Sequence, residues 1–166
     1  MLKFMRFAID GQEQYGIVEG GKVEAIAGDL YGSYTRTGKV YDEGAVKLLP
    51  PVNPSKLVAI GLNYLDHVKE GGADREPPKE PLIFLKAPTS LCANGEAIVL
   101  PKHAKLVHFE AEIGVVIKDK IKNVSVEEAL DHVFGYTCAN DISERIFQKG
   151  DGQWTRAKSF DTFCPA

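Results

Sequence analysis

The sequence has few cysteines and no long apolar run. Its 166 residues include three cysteines, an odd number without a CxxC pair: Cys92, Cys138 and Cys164. This spacing excludes a disulfide framework and a cysteine-rich zinc site. No run approaches the roughly 20 apolar residues of a membrane span, and Asp10 interrupts the N-terminus before a signal sequence can form. We therefore expect a cytoplasmic protein with reduced thiols and no membrane partner.

A strong excess of one charge is also missing. Twenty Lys and Arg residues against twenty-three Asp and Glu residues leave a net charge of −3. Basic residues form no cluster with interleaved aromatics of the kind that binds nucleic acid, so we expect no nucleic-acid partner. Hydrophobic residues make up 44% of the chain, which is enough for a buried core.

The first fifty residues alternate short β-type runs with turn dipeptides, DG at 10–11 and GG at 20–21. No nucleophile, base or ligand set is paired there, which favours a packing module. Prolines at positions 50, 51 and 54 cannot sit inside a helix or a central strand. The sequence predicts a small β-domain over 1–52 and a second unit over 53–166.

The second unit mixes strands with short helices. Asn63 is expected to cap a helix that Gly71 ends, and a capping box at Ser125 and Glu128 predicts a helix whose apolar stripe reaches Phe134. A further helix is predicted over DISERIFQKG, a strand over YTCAND and a strand-like run over RAKSFDTF. Strands outnumber helices without regular βαβ alternation, so the pattern predicts an α+β fold.

The stretch VHFEAEIGVVI at 107–117 reads as one strand whose odd-numbered apolar residues face the core. Glu110 and Glu112 then share the opposite face with His108. Two carboxylates about 7 Å apart repel each other unless both are solvated or a cation lies between them. A solvated strand face and a cation site therefore both remain open.

Asp141 could supply a third oxygen ligand, although the spacing D-I-S-E also fits a helix capping box. Three carboxylates describe a hard-oxygen site suited to Mg²⁺, Mn²⁺ or Ca²⁺. His108 on the glutamates' face leaves a mixed site for zinc or iron open.

Three further groups could carry chemistry. His67 and Glu70 are three residues apart on the first predicted helix, as in a general-base pair or an ordinary exposed pair. Arg145 and Gln148 follow Asp141 at helical spacing and could hold a substrate carboxylate. Lys158 stands in a strand-like run and is either functional or a surface lysine.

Taken together, these segments resemble the fumarylacetoacetate hydrolase superfamily. The resemblance runs in order from about residue 55 to the end, over GLNYLDHVKE, PLIFLKAPTSL, HFEAEIGVVI, FGYTCANDISERIFQ and QWTRAKSFDTFCPA. It implies a β-rich catalytic fold of mixed sheets rolled into a sandwich or barrel with short helices. The first fifty residues look like the small all-β domain that precedes this fold in many bacterial and archaeal members.

The same resemblance implies roles for nine residues. It implies that Glu110, Glu112 and Asp141 bind a catalytic Mg²⁺, with Mn²⁺ or Ca²⁺ as substitutes. His67 and Glu70 would form the catalytic dyad, and Lys158 would lie in the active site. Lys86, Arg145 and Gln148 would line the substrate pocket.

The activity implied is hydrolysis of a C–C bond in a 2-oxo or 2-hydroxy-dienoic dicarboxylic acid of the acylpyruvate or fumarylpyruvate type. The metal would stabilise the enolate formed, and the His-Glu dyad would activate water. Isomerisation of 2-hydroxyhepta-2,4-diene-1,7-dioate, oxaloacetate decarboxylation and a non-catalytic binding remnant remain alternatives. Family members continue beyond a motif like SFDTFCPA, so we expect a C-terminally truncated catalytic domain with open sheet edges, and a homodimer.

Overall fold

The computed structural model describes residues 1–166. The N-terminal part of the chain forms an antiparallel five-stranded sheet with the strand order β4-β3-β2-β1-β5. Its strands are β1 (Lys3–Ile9), β2 (Gln12–Glu19), β3 (Lys22–Gly28), β4 (Tyr34–Asp42) and β5 (Lys47–Leu48). Asp10 and Gly11 adopt φ of 50° and 75° between β1 and β2, which is the left-handed geometry that a tight DG hairpin requires. The predicted meander is confirmed.

Each face of this sheet carries a small apolar cluster because strand side chains alternate. Phe7 and Val23 are fully buried on one face, together with Met5 and Ala25. Ile17 belongs to the cluster on the other face, against which Phe134 of the second unit packs. The core of the N-terminal sheet therefore also anchors the rest of the chain.

The second unit consists of short strands in pairs, with four short helices. The strands are β6 (Leu57–Gly61), β7 (Leu82–Lys86), β8 (Leu91–Cys92), β9 (Val107–His108), β10 (Ala111–Ile117), β11 (Val133–Asn140), β12 (Ser143–Glu144) and β13 (Cys164–Pro165). The helices are α1 (Leu65–Glu70), α2 (Val126–Ala129), α3 (Arg145–Gly150) and α4 (Thr155–Lys158). Pairs β6–β7, β9–β12 and β10–β11 are antiparallel, and β8–β13 is parallel.

The predicted strand at 107–117 is divided into β9 and β10, which pair with different partners. The prediction that its odd-numbered residues face the core is wrong. Phe109, Ile113, Val115 and Ile117 are exposed, whereas Glu110 and Glu112 are partly buried. Alternation was therefore correct, but the carboxylate face is the one that the rest of the chain covers.

Three predicted helix or strand boundaries also change. The capping box at Ser125 is present, but α2 ends at Ala129 and, after one 3-10 turn, Phe134 already belongs to β11. The third helix begins at Arg145 instead of Asp141. Lys158 ends α4, so the predicted strand-like run over RAKSFDTF is wrong at this position. Short elements in an irregular fold take their limits from packing.

The predicted fold class is confirmed: the fold is β-rich α+β, with short helices and a small N-terminal sheet. None of its helices has the length and apolar character needed to cross a membrane.

Candidate active site

An open pocket of about 620 Å³ lies where α1, the junction of β9 and β10, and α3 meet. Residues predicted for three different roles line it together. They are His67 and Glu70 of the dyad, Glu110 and Glu112 of the metal set, and Arg145 of the substrate set, joined by Tyr64 and His108. These elements are far apart along the chain, so tertiary packing alone brings them to one pocket.

Helix α1 carries both dyad residues and is packed into the fold by one buried residue. Val68 is completely buried, while His67 next to it and Glu70 line the pocket. Gly71 follows the helix and its backbone N–H contacts the last turn, as the sequence predicts. Two residues three positions apart on one helix share a face, so one short helix delivers both.

Asn63 does not cap α1, which corrects its predicted role. Tyr64 precedes the helix without a side-chain cap. The Asn63 amide instead donates a hydrogen bond of 3.1 Å to Oε2 of Glu112. Asn63 therefore links the segment that carries the dyad to a predicted metal ligand.

Lys158 lies at the centre of the acidic residues behind the pocket. Its side chain is 2% exposed, so the surface-lysine alternative is wrong. Its ammonium donates to Oε2 of Glu110 at 3.1 Å, to Oδ2 of Asp141 at 2.6 Å and to Oγ of Ser143 at 2.7 Å. All three of its protons therefore have oxygen acceptors.

Asp141 does not cap a helix, and both oxygens of its carboxylate accept hydrogen bonds from lysines. Glu144 performs the capping, because its buried carboxylate accepts a hydrogen bond of 2.6 Å from the Phe147 N–H. Oδ1 of Asp141 instead accepts a hydrogen bond of 2.6 Å from the buried Lys86.

Lys86 has no proton left for a ligand in this arrangement. Besides Asp141, it donates to the backbone oxygen of Phe163 at 3.1 Å and to that of Lys158. Its contacts cross-link β7, the end of β11 and the last segment of the chain. The predicted role of Lys86 in the substrate pocket stays a prediction, and the contacts themselves are those of a positioning residue.

Arg145 is held on three sides at the pocket wall. Its guanidinium contacts Oε1 of Glu110 at 2.6 Å, Oε1 of Gln148 at 2.7 Å and Nδ1 of His108 at 3.3 Å. Because an arginine donates to it, Nδ1 of His108 acts as an acceptor and is not free for a metal. Three of the five guanidinium N–H groups are used, which leaves two for a ligand.

The two glutamates have opposite pKa shifts. Burial disfavours the charge on Glu110, but Lys158 and Arg145 outweigh burial and hold its pKa below the usual value. Burial raises the pKa of Glu112, and the nearby charges of Glu110 and Asp141 act in the same direction against the Asn63 hydrogen bond. Glu112 therefore lies near Glu110 and Asp141, but no lysine or arginine forms an ion pair with its carboxylate.

The donor chemistry of the predicted metal set fits a hard divalent cation, since all three side chains offer carboxylate oxygens. In the arrangement described, however, no three His, Cys, Asp or Glu side chains are grouped tightly enough to hold a metal ion. Lys158 occupies the space between two of them. The metal ligands stay a prediction.

Sequence reasoning missed the contributions of Asn63, Ser143 and Glu144. Asn63 was assigned to a cap, and Glu144 was considered only as the partner of Asp141 in a capping box. Ser143 and Asp141 are two positions apart in an extended segment, so their side chains lie on the same side of it. This spacing is the one sequence signal that could have placed both beside Lys158.

The fold and the pocket together define a class: a β-rich α+β domain whose pocket collects carboxylates, imidazoles and a guanidinium. Residues 56–166 match the family model described as fumarylacetoacetate hydrolase C-terminal, and residues 2–51 match the model described as Rv2993c-like, N-terminal. The chain belongs to the fumarylacetoacetate hydrolase family. This family includes hydrolases and isomerases.

Three relatives illustrate the range. The 2,4-didehydro-3-deoxy-L-rhamnonate hydrolase of Sphingomonas sp. (strain SKA58) is 40% identical over 177 residues, covering 99% of this chain and 61% of the relative. The solved 2-hydroxyhepta-2,4-diene-1,7-dioate isomerase of Mycobacterium marinum is 38% identical, with a TM-score of 0.88 over 99% of this chain and 64% of that one.

The third relative carries a metal. Maleylpyruvate hydrolase of Sphingobium sp. SYK-6, solved with manganese(II) and pyruvate, is 25% identical, with a TM-score of 0.72 over 99% of this chain and 64% of that one. The chain spans about half the length of curated relatives that it matches.

Proposed function

We propose that this chain carries the dyad and the acidic site of a divalent-metal-dependent enzyme that hydrolyses a C–C bond in a 2-oxo dicarboxylic acid. One observation carries the proposal: a single pocket is lined by His67 and Glu70 from one side and by Glu110, Glu112 and Arg145 from the other. A general-base pair, a carboxylate cluster and a free guanidinium edge are what such a reaction requires.

Each of these residues would have a separate role in the reaction. Arg145, positioned by Gln148 and His108, offers its remaining N–H groups to a substrate carboxylate. His67, with Glu70 beside it on α1, removes a proton from water or moves one to the substrate carbon. Glu110, Glu112 and Asp141 would hold Mg²⁺, or Mn²⁺ as in the Sphingobium relative. When bound, the ion supplies positive charge opposite the developing enolate.

Isomerisation is the second candidate, because the Mycobacterium marinum isomerase resembles 99% of this chain, although the match covers 64% of the isomerase. The two reactions share proton transfer at a carbon next to a 2-oxo group, so the same dyad serves both. The pocket opens to solvent through exposed side chains such as Tyr64 and Phe109. Substrate choice then rests on what covers this opening.

Activity assays with Mg²⁺ test the proposal. Pyruvate release from fumarylpyruvate or maleylpyruvate reports hydrolysis, absorbance of 2-hydroxyhepta-2,4-diene-1,7-dioate reports isomerisation, and CO₂ release from oxaloacetate reports decarboxylation. His67→Ala should lower the rate by about 10²–10⁴-fold, as expected for loss of a general base. The control, His132→Ala, removes a histidine that pairs with Asp119 outside the pocket.

Equal rates in the two variants would exclude the dyad. Binding of Mg²⁺ and oxalate without turnover of any of these substrates would instead support a non-catalytic binding role.

A further inference from the structure

Glu144 is a completely buried carboxylate whose hydrogen bonds all come from backbone N–H groups. Burying a charged group is costly unless its oxygens are hydrogen-bonded. Oε1 accepts from the N–H of Lys105 at 3.0 Å and from that of Leu106 at 3.1 Å. Oε2 accepts from the N–H of Phe147 at 2.6 Å. One side chain therefore joins the segment before β9 to the first turn of α3.

The two segments that Glu144 joins are also bonded to each other. The Arg145 N–H donates a hydrogen bond of 2.8 Å to the backbone oxygen of Leu106. Next to this bond, β12 pairs with β9, which places Glu144 opposite Val107 and leaves His108 one residue further along β9. Each of these strands has only two residues, and a two-stranded ladder is marginally stable by itself. The side-chain contacts of Glu144 therefore contribute to holding α3 against β9.

Each of the two segments carries one partner of a hydrogen bond in the pocket wall. Nε of Arg145, at the start of α3, donates to Nδ1 of His108 on β9 at 3.3 Å. This distance is already at the long end for an N–H donor, so a small shift of either segment would break the bond. The same guanidinium contacts Oε1 of Glu110 at 2.6 Å. The spacing of α3 and β9 therefore sets where the guanidinium lies.

We infer that Glu144 is a positioning residue for Arg145. It holds α3 against β9, so that the guanidinium stays in the pocket wall with its remaining N–H groups free for a ligand carboxylate. This rests on the proposed function, in which Arg145 binds a carboxylate of the substrate. Glu144 itself does not line the pocket. Its replacement should therefore weaken substrate binding and leave proton transfer by His67 unchanged.

The side-chain Nε–H signal of Arg145 in a nitrogen–proton correlation spectrum tests the positioning without any substrate. Arg145→Lys identifies the signal by its disappearance. Glu144→Gln should shift the signal and speed its exchange with water by about tenfold or more, because the hydrogen bond to His108 is lost. Glu127→Gln, in the exposed first turn of α2, should leave the signal unchanged. An unchanged signal in folded Glu144→Gln would overturn the inference and leave the proposed function standing.

Steady-state kinetics with fumarylpyruvate and Mg²⁺ connect the position of Arg145 to the reaction. Glu144→Gln should raise KM by about fivefold or more and change kcat by less than about twofold, since it weakens binding and spares the chemical step. In an Arg145→Ala background, Glu144→Gln should raise KM no further, because it acts through the missing guanidinium. An equal rise in both backgrounds would show that Glu144 supports only the fold, which would overturn the inference.

The remaining failures can also be told apart. Absence of turnover by the unaltered protein would remove the proposed function, whereas the Arg145 signal would still decide whether Glu144 positions the guanidinium. If Glu144→Gln does not fold, Glu144→Asp keeps the charge on a side chain that is shorter by one methylene group. It should shift the Arg145 signal in the same direction by a smaller amount, and an unchanged signal there would equally contradict the role of Glu144.

Discussion

At the scale of single residues, position decides what a carboxylate does. Asp141 and Glu144 lie three residues apart, and the sequence pattern allowed Asp141 to be either a helix cap or a metal ligand. In the structure, Asp141 receives two lysines, while Glu144 receives backbone N–H groups from Lys105, Leu106 and Phe147. Lysine ammonium groups contact Asp141, whereas backbone N–H groups contact Glu144. One carboxylate therefore belongs to the candidate site, and the other stabilises the fold around it.

Glu144→Gln should destabilise the protein at pH 7 by roughly 1.5–3 kcal/mol, the range for hydrogen bonds to a charged group. The side chain is fully buried, and an amide would place N–H groups against backbone N–H donors. Chemical denaturation measures the loss. Glu127→Gln in the exposed first turn of α2 is the matched control and should change stability little.

The effect of Glu144 should also depend on pH. Burial opposes its ionisation, but the backbone hydrogen bonds outweigh burial and hold its pKa below the usual value. A lowered folded-state pKa gives stability that is complete above the unfolded pKa of about 4.3 and is lost as the pH falls through the folded pKa. The difference between the protein and Glu144→Gln should therefore shrink in acid. A difference that stays constant from pH 7 to pH 3 would contradict the assignment.

At the scale of elements, β10 shows that alternation fixes two faces without deciding which one is buried. The even face carries Glu112 and is covered by the Asn63 segment, whereas Ile113, Val115 and Ile117 are exposed. Apolar residues on an open face normally indicate a surface that another polypeptide covers. The predicted homodimer is one such partner and stays a prediction.

Val115→Thr and Val23→Thr compare this face with the N-terminal core by the same nearly isosteric change. Val23 is 0% exposed, so a buried hydroxyl there should cost roughly 1–3 kcal/mol. Val115 is 51% exposed, and the same change should cost less than about 0.5 kcal/mol.

Denaturation at low and high protein concentration measures both variants. Comparable costs at every concentration would contradict an open face. A cost for Val115→Thr that grows with concentration would indicate that a second copy covers it.

At the scale of the whole molecule, Phe134 joins the two units. Its ring lies 5.3 Å from Phe4 and 5.1 Å from Tyr31, both in the N-terminal fifty residues. Phe134 belongs to β11, which pairs with β10 and ends beside Asp141. The small sheet is therefore packed directly onto a strand that leads into the candidate site.

Phe134→Ala should destabilise the protein by roughly 1–3 kcal/mol, because it removes two aromatic pairs of about 0.5–1.5 kcal/mol each. Tyr136→Ala is the matched control, since Tyr136 is another aromatic residue of β11 and is mostly exposed. Thermal unfolding should show a lower midpoint for Phe134→Ala and a separate transition for the N-terminal sheet. Equal midpoints for the two variants would contradict this coupling.

The sequence predicted much of the fold and less of the site. The N-terminal meander follows from DG and GG turns, and the Ser125 capping box forms as the spacing indicates. Both act between neighbours in the chain, where local geometry suffices. The break at Phe109 and the helix that contains Lys158 were not predicted, because short elements depend on distant contacts.

The sequence alone determined the N-terminal hairpins, the Ser125 capping box, the alternation along β10 and membership of a family through ordered motifs. These features depend on chain neighbours and residue types, which the sequence states directly. Only the tertiary structure decided that Lys158 lies between Glu110 and Asp141, that Asn63 contacts Glu112, and which face of β10 is covered. Such contacts join residues far apart in the chain, and their geometry is set by how the strand pairs and helices pack against one another.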